Sequence, residues 1–203
     1  MKVALLGATG NVGTRLTSEL VSRGHQVTAI VRHPEKLTKL EGVTATAADV
    51  TNEEALAAAV DSHDAVIHSV KFLSTDADKV ISATKKGNVA RLLVVGGAGS
   101  LEVAPGLLLV NAPNFPAEYK SEAFAGAAFL DRLLKEKELE WTFLSPSASF
   151  APGQRTGKFR LGTDQLLVAT DGQSHISMED FAIALVDELE IRQHSRERFT
   201  VGY

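Results

Sequence analysis

The sequence predicts an α/β fold, a doubly wound and mostly parallel sheet with helices on both faces and a small C-terminal capping region. Three observations predict it. Strand-like and helix-like patterns alternate from the first residue. Several strand-like runs, such as Val3-Ala4-Leu5-Leu6 and Leu92-Leu93-Val94-Val95, are apolar throughout, as strands covered by helices on two faces are. A turn with three evenly spaced glycines, Gly7-Ala8-Thr9-Gly10-Asn11-Val12-Gly13, joins the first strand to the first helix.

Each element has its own signal. Residues 2–6 read as a strand, and residues 11–23 as a helix with Val12, Leu16, Leu20 and Val21 on one face. Gly24 stands where helices commonly stop. Val27-Thr28-Ala29-Ile30-Val31 is a β-branched second strand, followed by a short helix with Pro34 in its first turn. Residues 43–48 make a weaker third strand, and Thr51 with Glu54 reads as a capping box opening the next helix. Residues 65–67 and 91–95 are the fourth and fifth strands, with a helix over 75–86 between them. The stretch 96–117, rich in Gly, Pro and Asn, reads as a long loop over the carboxyl edge of the sheet. A helix is expected from Glu122 to Lys137 and a sixth strand over Trp141-Thr142-Phe143-Leu144. Residues 151–173 carry repeated glycines, with strand-like pieces at 158–160 and 166–168 that suggest a hairpin. Ser177 with Asp180 forms a second capping box before a helix to about Glu190, and 198–201 is a terminal strand. No repeat or linker interrupts the pattern, so residues 1–203 are expected to form one domain, with about 151–203 as its substrate-side cap.

Composition narrows the function classes. A chain of 203 residues can bury roughly 70% of its unfolded surface in one core. Its 44% hydrophobic and 23% charged residues are ordinary for a globular protein. The net charge of −4 and the lack of a basic stripe argue against a nucleic-acid partner. Without cysteine there is no disulfide framework, thiolate zinc site, iron–sulfur cluster or cysteine nucleophile. No apolar run approaches the ~20 residues needed to span a bilayer, so no membrane partner is expected. The chain opens directly on a strand, which is read as leaving no room for a signal peptide, and a cytoplasmic protein is the expectation.

The glycine turn carries the main functional signal. Gly7 permits the tight turn off the strand, Gly10 lets backbone approach a diphosphate, and Gly13 allows close helix–sheet packing. Gly7, Thr9, Gly10, Asn11, Val12 and Gly13 would thus hold the pyrophosphate of a nicotinamide dinucleotide against free amides at a helix N-terminus. The ribose is read at the end of the second strand, where an acid would accept from a 2′-hydroxyl. This chain has Arg32 there, then His33. A guanidinium matches a phosphate in a bidentate fork, so NADP(H) is expected over NAD(H), which stays an alternative. Asp49 is positioned to accept from the adenine amino group, with Val50 beside the ring.

These segments, with Val31-Arg32-His33-Pro34-Glu35-Lys36-Leu37, resemble atypical short-chain dehydrogenases of the NmrA-like and NADH-flavin reductase groups. Val94-Val95-Gly96-Gly97-Ala98-Gly99-Ser100-Leu101, Phe115-Pro116-Ala117-Glu118-Tyr119-Lys120 and Trp141-Thr142-Phe143-Leu144-Ser145-Pro146 look like the bacterial NADH-flavin reductases. So do Arg155-Thr156-Gly157-Lys158-Phe159-Arg160 and Ile176-Ser177-Met178-Glu179-Asp180. The resemblance spans essentially the whole chain. It implies a Rossmann-type fold, NAD(P)H binding, and a diffusible flavin or similar acceptor as substrate, not as a prosthetic group.

Chemistry on this fold most often uses a tyrosine four residues before a lysine, the lysine lowering the phenol pKa for proton exchange. Here Tyr119 is followed four residues on by Ala123, and the other tyrosine, Tyr203, ends the sequence. The missing dyad argues against an epimerase, a dehydratase or an ordinary alcohol dehydrogenase. Hydride transfer to an oxidised flavin or quinone demands less, because the acceptor is its own electron sink and positioning dominates. No catalytic residue is assigned. Walls for the nicotinamide and a small planar acceptor are expected from the strand ends: Ser69, Val70 and Lys71; Gly96, Gly97 and Ser100; Ser145, Pro146 and Ser147. Gly96 and Gly97 could let the nicotinamide lie against backbone, and Ser145 or Ser147 could hold its carboxamide. Phe115, Tyr119 and Phe150 are candidates to stack the acceptor, each with the alternative of a loop anchor. Ser147-Ala148-Ser149 stands where related biliverdin reductases carry histidine, which argues against biliverdin. His63 and His68 lack metal-ligand spacing, so no metal is expected. The competing reading is an NmrA-like sensor that binds the cofactor without turnover. A homodimer is compatible with either.

Overall fold

The computed structural model describes residues 1–37 and 40–203. Its centre is an eight-stranded sheet. In chain order the first half gives β1 (Lys2–Leu6), α1 (Asn11–Ser22), β2 (Gln26–Val31), β3 (Val43–Ala47), α2 (Glu53–Val60), β4 (Ala65–His68), α3 (Ala77–Lys86) and β5 (Arg91–Val95). The second half gives β6 (Glu102–Ala104), β7 (Leu107–Leu108), α4 (Ala117–Leu133), β8 (Glu140–Pro146), β9 (Ser149–Ala151), β10 (Arg160–Gly162), β11 (His175–Ser177), α5 (Met178–Ile191) and β12 (Glu197–Gly202). The sheet order is β10-β12-β8-β5-β4-β1-β2-β3, parallel except for β10 against β12. This is a Rossmann-type fold.

The apolar runs are explained by two cores. Val3 and Leu5 of β1 pack with Leu16 and Leu20 of α1 and with Phe181, Leu185 and Leu189 of α5. Ala4 and Leu6 point the other way, into Leu56 and Val60 of α2, Val80 of α3, and Phe129 and Leu133 of α4. Adjacent residues of one strand therefore bury on opposite faces, and a polar residue at either would cost roughly 1–3 kcal/mol if unpaired. The chain leaves β1 for β2 on one side and returns to β4 on the other, so the strand order reverses between β1 and β4. In such sheets the crevice at the carboxyl ends of these two strands receives the ligand.

Several expectations are corrected. Asn52, not Thr51, caps α2, its side chain accepting from the Ala55 amide at 3.1 Å, while Thr51 folds back on Asp49. The stretch 96–117 is not a plain loop, because it contains the β6–β7 hairpin. Helix α4 starts at Ala117, five residues earlier than Glu122, and ends at Leu133. The pieces 158–160 and 166–168 do not form a hairpin. Instead β10 adds to the edge of the main sheet along β12, and Leu166 donates its amide to Glu102 of β6. The reason is a free sheet edge at β12, whose unpaired backbone groups offer β10 a ladder that a local turn would have to supply unaided. Of the expected cap over 151–203, α5 and β12 build the main layers, whereas β9 and β11 pair with each other as a separate parallel ribbon. No helix among the described residues is long and apolar enough to cross a membrane.

Candidate functional site

The turn between β1 and α1 leaves its donors free. Gly10 caps α1 at φ −75°, ψ 169°, with no side-chain cap, and its own amide bonds to Gly7 O at 3.0 Å. The first internal helix bond is Thr14 N to Gly10 O at 2.9 Å. The amides of Asn11, Val12 and Gly13 therefore have no acceptor among the described residues, and the helix dipole adds positive potential where they point.

The three glycines differ in what they answer to. Gly7 has φ +83°, and a Cβ there would lie 2.2 Å from Ser69 O. A Cβ on Gly13 would lie 2.1 Å from Gly7 O. Both are imposed by the packing of β1, α1 and the end of β4. Gly10 is exposed, and its Cβ would meet only Gly7 O at 3.3 Å. Packing asks little at Gly10, whereas a group seated on the free amides would ask for the open space.

A cleft of about 600 Å³ adjoins this turn at the carboxyl ends of β1 to β4. Gly7, Thr9, Arg32, Asp49, Val50 and Val70 all line it, and so does Lys71, which the sequence had placed at the nicotinamide wall. Arg32 is exposed and makes no hydrogen bond or ion pair among the described residues. Asp49 Oδ1 accepts from the Thr51 amide at 2.9 Å and the Thr51 hydroxyl at 2.8 Å. Those bonds, with the Arg32 charge, hold its carboxyl below the usual aspartate value, so Asp49 stays an acceptor at neutral pH. One oxygen is committed to the turn, leaving Oδ2 for a ligand. The far wall was not foreseen from sequence. It consists of Leu73, Ser74, Thr75, Asp76 and Lys79, from the turn after β4 and the start of α3. No motif marks that turn, and only the Asp76 cap signals where the helix begins.

The remaining expected residues lie beyond this cleft, at the ends of β4, β5 and β8. Ser69 donates its amide to Leu6 O at 3.0 Å and so closes the sheet under the turn. Gly96 is a packing glycine, because a Cβ would lie 2.3 Å from the Phe143 ring; it is buried and offers no backbone face. A Cβ on Gly97 would meet nothing within 4 Å, so the open position is Gly97 alone. Ser147 is spoken for by Val201 O at 3.1 Å, whereas Ser145 Oγ is buried without a partner. Pro146 ends β8 and is buried beside them. Phe150 packs on Phe181 with ring centroids 4.7 Å apart and is a core anchor, not a stacking surface. Phe115 is half-buried before α4, and Tyr119, in its first turn, is exposed. Gly99 fits against Ala123 of α4, whose Cβ would be 2.8 Å from a Cβ on Gly99, so this helix start stands beside the end of β5.

Two further groups shape the edge. His68 is buried between Phe72 and Phe129, with Nε2 3.1 Å from the Thr75 hydroxyl. Burial lowers its pKa to about 4, so it is neutral and not a proton donor at neutral pH. The loop 153–157 is strapped to the helices. Asp180 of α5 accepts from Thr156 N at 2.8 Å, Gly157 N at 2.9 Å and Tyr203 OH at 2.7 Å, and Arg155 forms a paired contact with Glu19 of α1. The Ser177–Asp180 capping box is thus half made. Ser177 Oγ accepts the Asp180 amide, but the Asp180 carboxylate serves the loop. Among the described residues no group of three or more His, Asp or Glu could hold a metal ion.

This geometry is that of a dinucleotide site, and comparison with known proteins agrees. The model of a family described as NAD(P)H-binding matches residues 7–191. The chain belongs to that family. Other proteins of similar build include the uncharacterised protein YwnB of Bacillus subtilis, 41% identical over 99% of this chain and 98% of its own. A solved structure from Bacteroides thetaiotaomicron, provisionally named an epimerase, is 44% identical with a TM-score of 0.94, over 100% of this chain and 96% of that one. One from Streptococcus pneumoniae, provisionally named an NADH-flavin reductase, is 36% identical with a TM-score of 0.84, over 100% and 99%. The family match begins at Gly7, the first glycine of the turn. The amides of Asn11 to Gly13 are donors left open to an anion, and Arg32, Asp49 and Val50 line the cleft beside them.

Proposed function

We propose that the protein is an NAD(P)H-dependent reductase, with NADP(H) preferred, that delivers hydride to a flavin, quinone or similar planar acceptor. The observation that carries the cofactor half is the set of unshared amides at Asn11, Val12 and Gly13 beside a cleft holding the unpaired guanidinium of Arg32. In the bound state the amides would hold the diphosphate, Arg32 a 2′-phosphate, Asp49 Oδ2 the adenine amino group, and Val50 and Val70 the faces of the ring. A reduced nicotinamide supplies a hydride, and the chain need only align it.

The acceptor half is supported by what surrounds the end of β5. Tyr119, the tyrosine of α4, has Ala123 one turn on, where a tyrosine–lysine dyad would place the lysine. His68 is neutral and enclosed. A carbonyl substrate would need a proton donor in the transition state, whereas an oxidised flavin or quinone can take its proton from water after the hydride. Gly97 leaves backbone open, and Tyr119 and Phe115 offer aromatic surface at the start of α4, the helix that Gly99 packs against at Ala123. The name of the pneumococcal relative points to the same substrate class. The name of the Bacteroides relative points elsewhere, but epimerisation would need a proton-handling pair where this chain has Tyr119 and Ala123.

Steady-state oxidation of NADPH and NADH with FMN, riboflavin and small quinones tests the proposal. Turnover with at least one planar acceptor, and a lower KM for NADPH, are expected. Tight binding of both coenzyme forms with unequal affinity and no turnover would replace it with the sensor reading.

A further inference from the structure

We infer that Lys71 is a second cation for the cofactor's 2′-phosphate, so that NADP(H) is read jointly from the end of β2 and from the turn after β4. The inference rests on the nicotinamide-cofactor reading above and extends it to a residue outside the glycine turn and the second strand.

Three cations and two carboxylates line the cleft: Arg32, Lys71, Lys79, Asp49 and Asp76. Three of the five are occupied within the chain. Lys79 Nζ donates to Thr51 O at 3.1 Å, Asp76 Oδ1 caps α3 through the Lys79 amide at 3.1 Å, and Asp49 Oδ1 holds Thr51. The side chains of Arg32 and Lys71 are exposed and have no partner among the described residues. They stand on opposite sides of β1, at the ends of β2 and β4, two strand steps or about 10 Å apart in the sheet. Two unpaired cations facing one concavity repel each other, and an anion between them converts the repulsion into attraction. The diphosphate is already served by the α1 amides, which leaves these charges for a further anionic group. A phosphate monoester on the adenosine ribose is that group.

Lys71 also differs from a solvated surface lysine in how its backbone is held. The next two amides, Phe72 N and Leu73 N, donate to the two carboxylate oxygens of Glu122 on α4, at 2.6 and 3.2 Å. Lys71 O accepts from Ser74 N at 3.0 Å. The fixed backbone holds the root of the Lys71 side chain at the cleft, so binding has to order only the side chain's own rotamers.

The test titrates the full chain with NADPH, NADH, 2′,5′-ADP and 5′-ADP by calorimetry, in wild type, Lys71→Ala, Lys71→Arg and Arg32→Ala. Lys71→Ala, at an exposed side chain, is expected to raise the Kd of NADPH and 2′,5′-ADP about tenfold and those of NADH and 5′-ADP less than about twofold, the usual loss of a charge-assisted contact. Lys71→Arg should retain most of the NADPH affinity. Equal weakening of NADPH and NADH would assign Lys71 to the part both share, and an unchanged NADPH Kd would make it a surface charge. Either result overturns the inference while leaving the cofactor site standing. Wild-type protein that binds none of the four ligands would remove the cofactor reading and this inference together.

Discussion

Replacing Gly10 by alanine separates what the turn does for the fold from what it does for a ligand. The site's backbone, φ −75° and ψ 169°, is open to any L-residue, and the new Cβ meets only Gly7 O at 3.3 Å. Alanine is a poorer N-cap than glycine by about 0.5–1 kcal/mol. It also restricts the unfolded chain, which returns about 0.4–1 kcal/mol. The two nearly cancel, so the melting temperature should move by less than about 4 °C for a chain of this size. The methyl group, however, would take up open space at the start of α1, where a diphosphate on the amides of Asn11, Val12 and Gly13 would approach the backbone. Each hydrogen bond to a charged group contributes about 1.5–3 kcal/mol, so obstructing even one raises Kd at least about tenfold. Gly13→Ala is the opposite case. Its Cβ would overlap Gly7 O at 2.1 Å and Ala8 Cα at 2.9 Å, and overpacking of that kind costs about 1–3 kcal/mol or more. Calorimetric titration with NADPH beside thermal unfolding reads both effects. Gly10→Ala protein that binds NADPH as tightly as wild type would refute the assignment of the free amides to the diphosphate.

Other outcomes follow from the same structure. Arg32→Glu should depress NADPH affinity far more than NADH affinity in equilibrium titration, and equal loss of both would remove Arg32 from phosphate recognition. His68 has its folded pKa lowered to about 4 by burial, so between about 6.5 and 4 the unfolded chain binds a proton that the folded one does not. Stability should therefore fall by up to about 3 kcal/mol as pH drops through that window, and His68→Phe should flatten the dependence in denaturant melts. A slope unchanged by the substitution would clear His68 of that role. For Asp180, burial alone would raise the carboxyl, but the Thr156 hydroxyl and the Gly157 amide outweigh it and bring it below the usual value. Its contribution is complete at neutral pH and is lost as pH falls through the lowered value. Asp180→Asn should cost about 1–3 kcal/mol at pH 7 and much less in acid, measured as the shift in urea midpoint.

The alternation of elements was legible in the sequence because a parallel sheet covered on both faces demands it. Val3 to Leu6 must be apolar at every position, since odd and even residues enter different cores. The glycine turn was legible for a similar reason: Gly7 and Gly13 are fixed by contacts within some sixty residues of chain, at Ser69 and at the turn itself. The second half was harder to read. The edge position of β10 depends on an unpaired ladder at β12, some forty residues away, and nothing within 158–168 encodes it. Phe150 and Gly96 illustrate the same limit at the site. Their residue types suit a ligand wall, and only Phe181 and Phe143, packed against them from α5 and β8, assign them to the core.

Local sequence, then, determined which segments became strands and helices and where a diphosphate could be held, because those depend on side-chain periodicity and on backbone freedom within one turn. Tertiary structure decided which wall residues face open space. Lys71 stands at the cleft because Glu122, fifty residues later, pins the next two amides, and Ser147 is withdrawn because its hydroxyl donates to the Val201 carbonyl. Hydrogen bonds between distant segments carry no periodic signature, so only the assembled sheet and its helices reveal which polar groups remain free for a ligand.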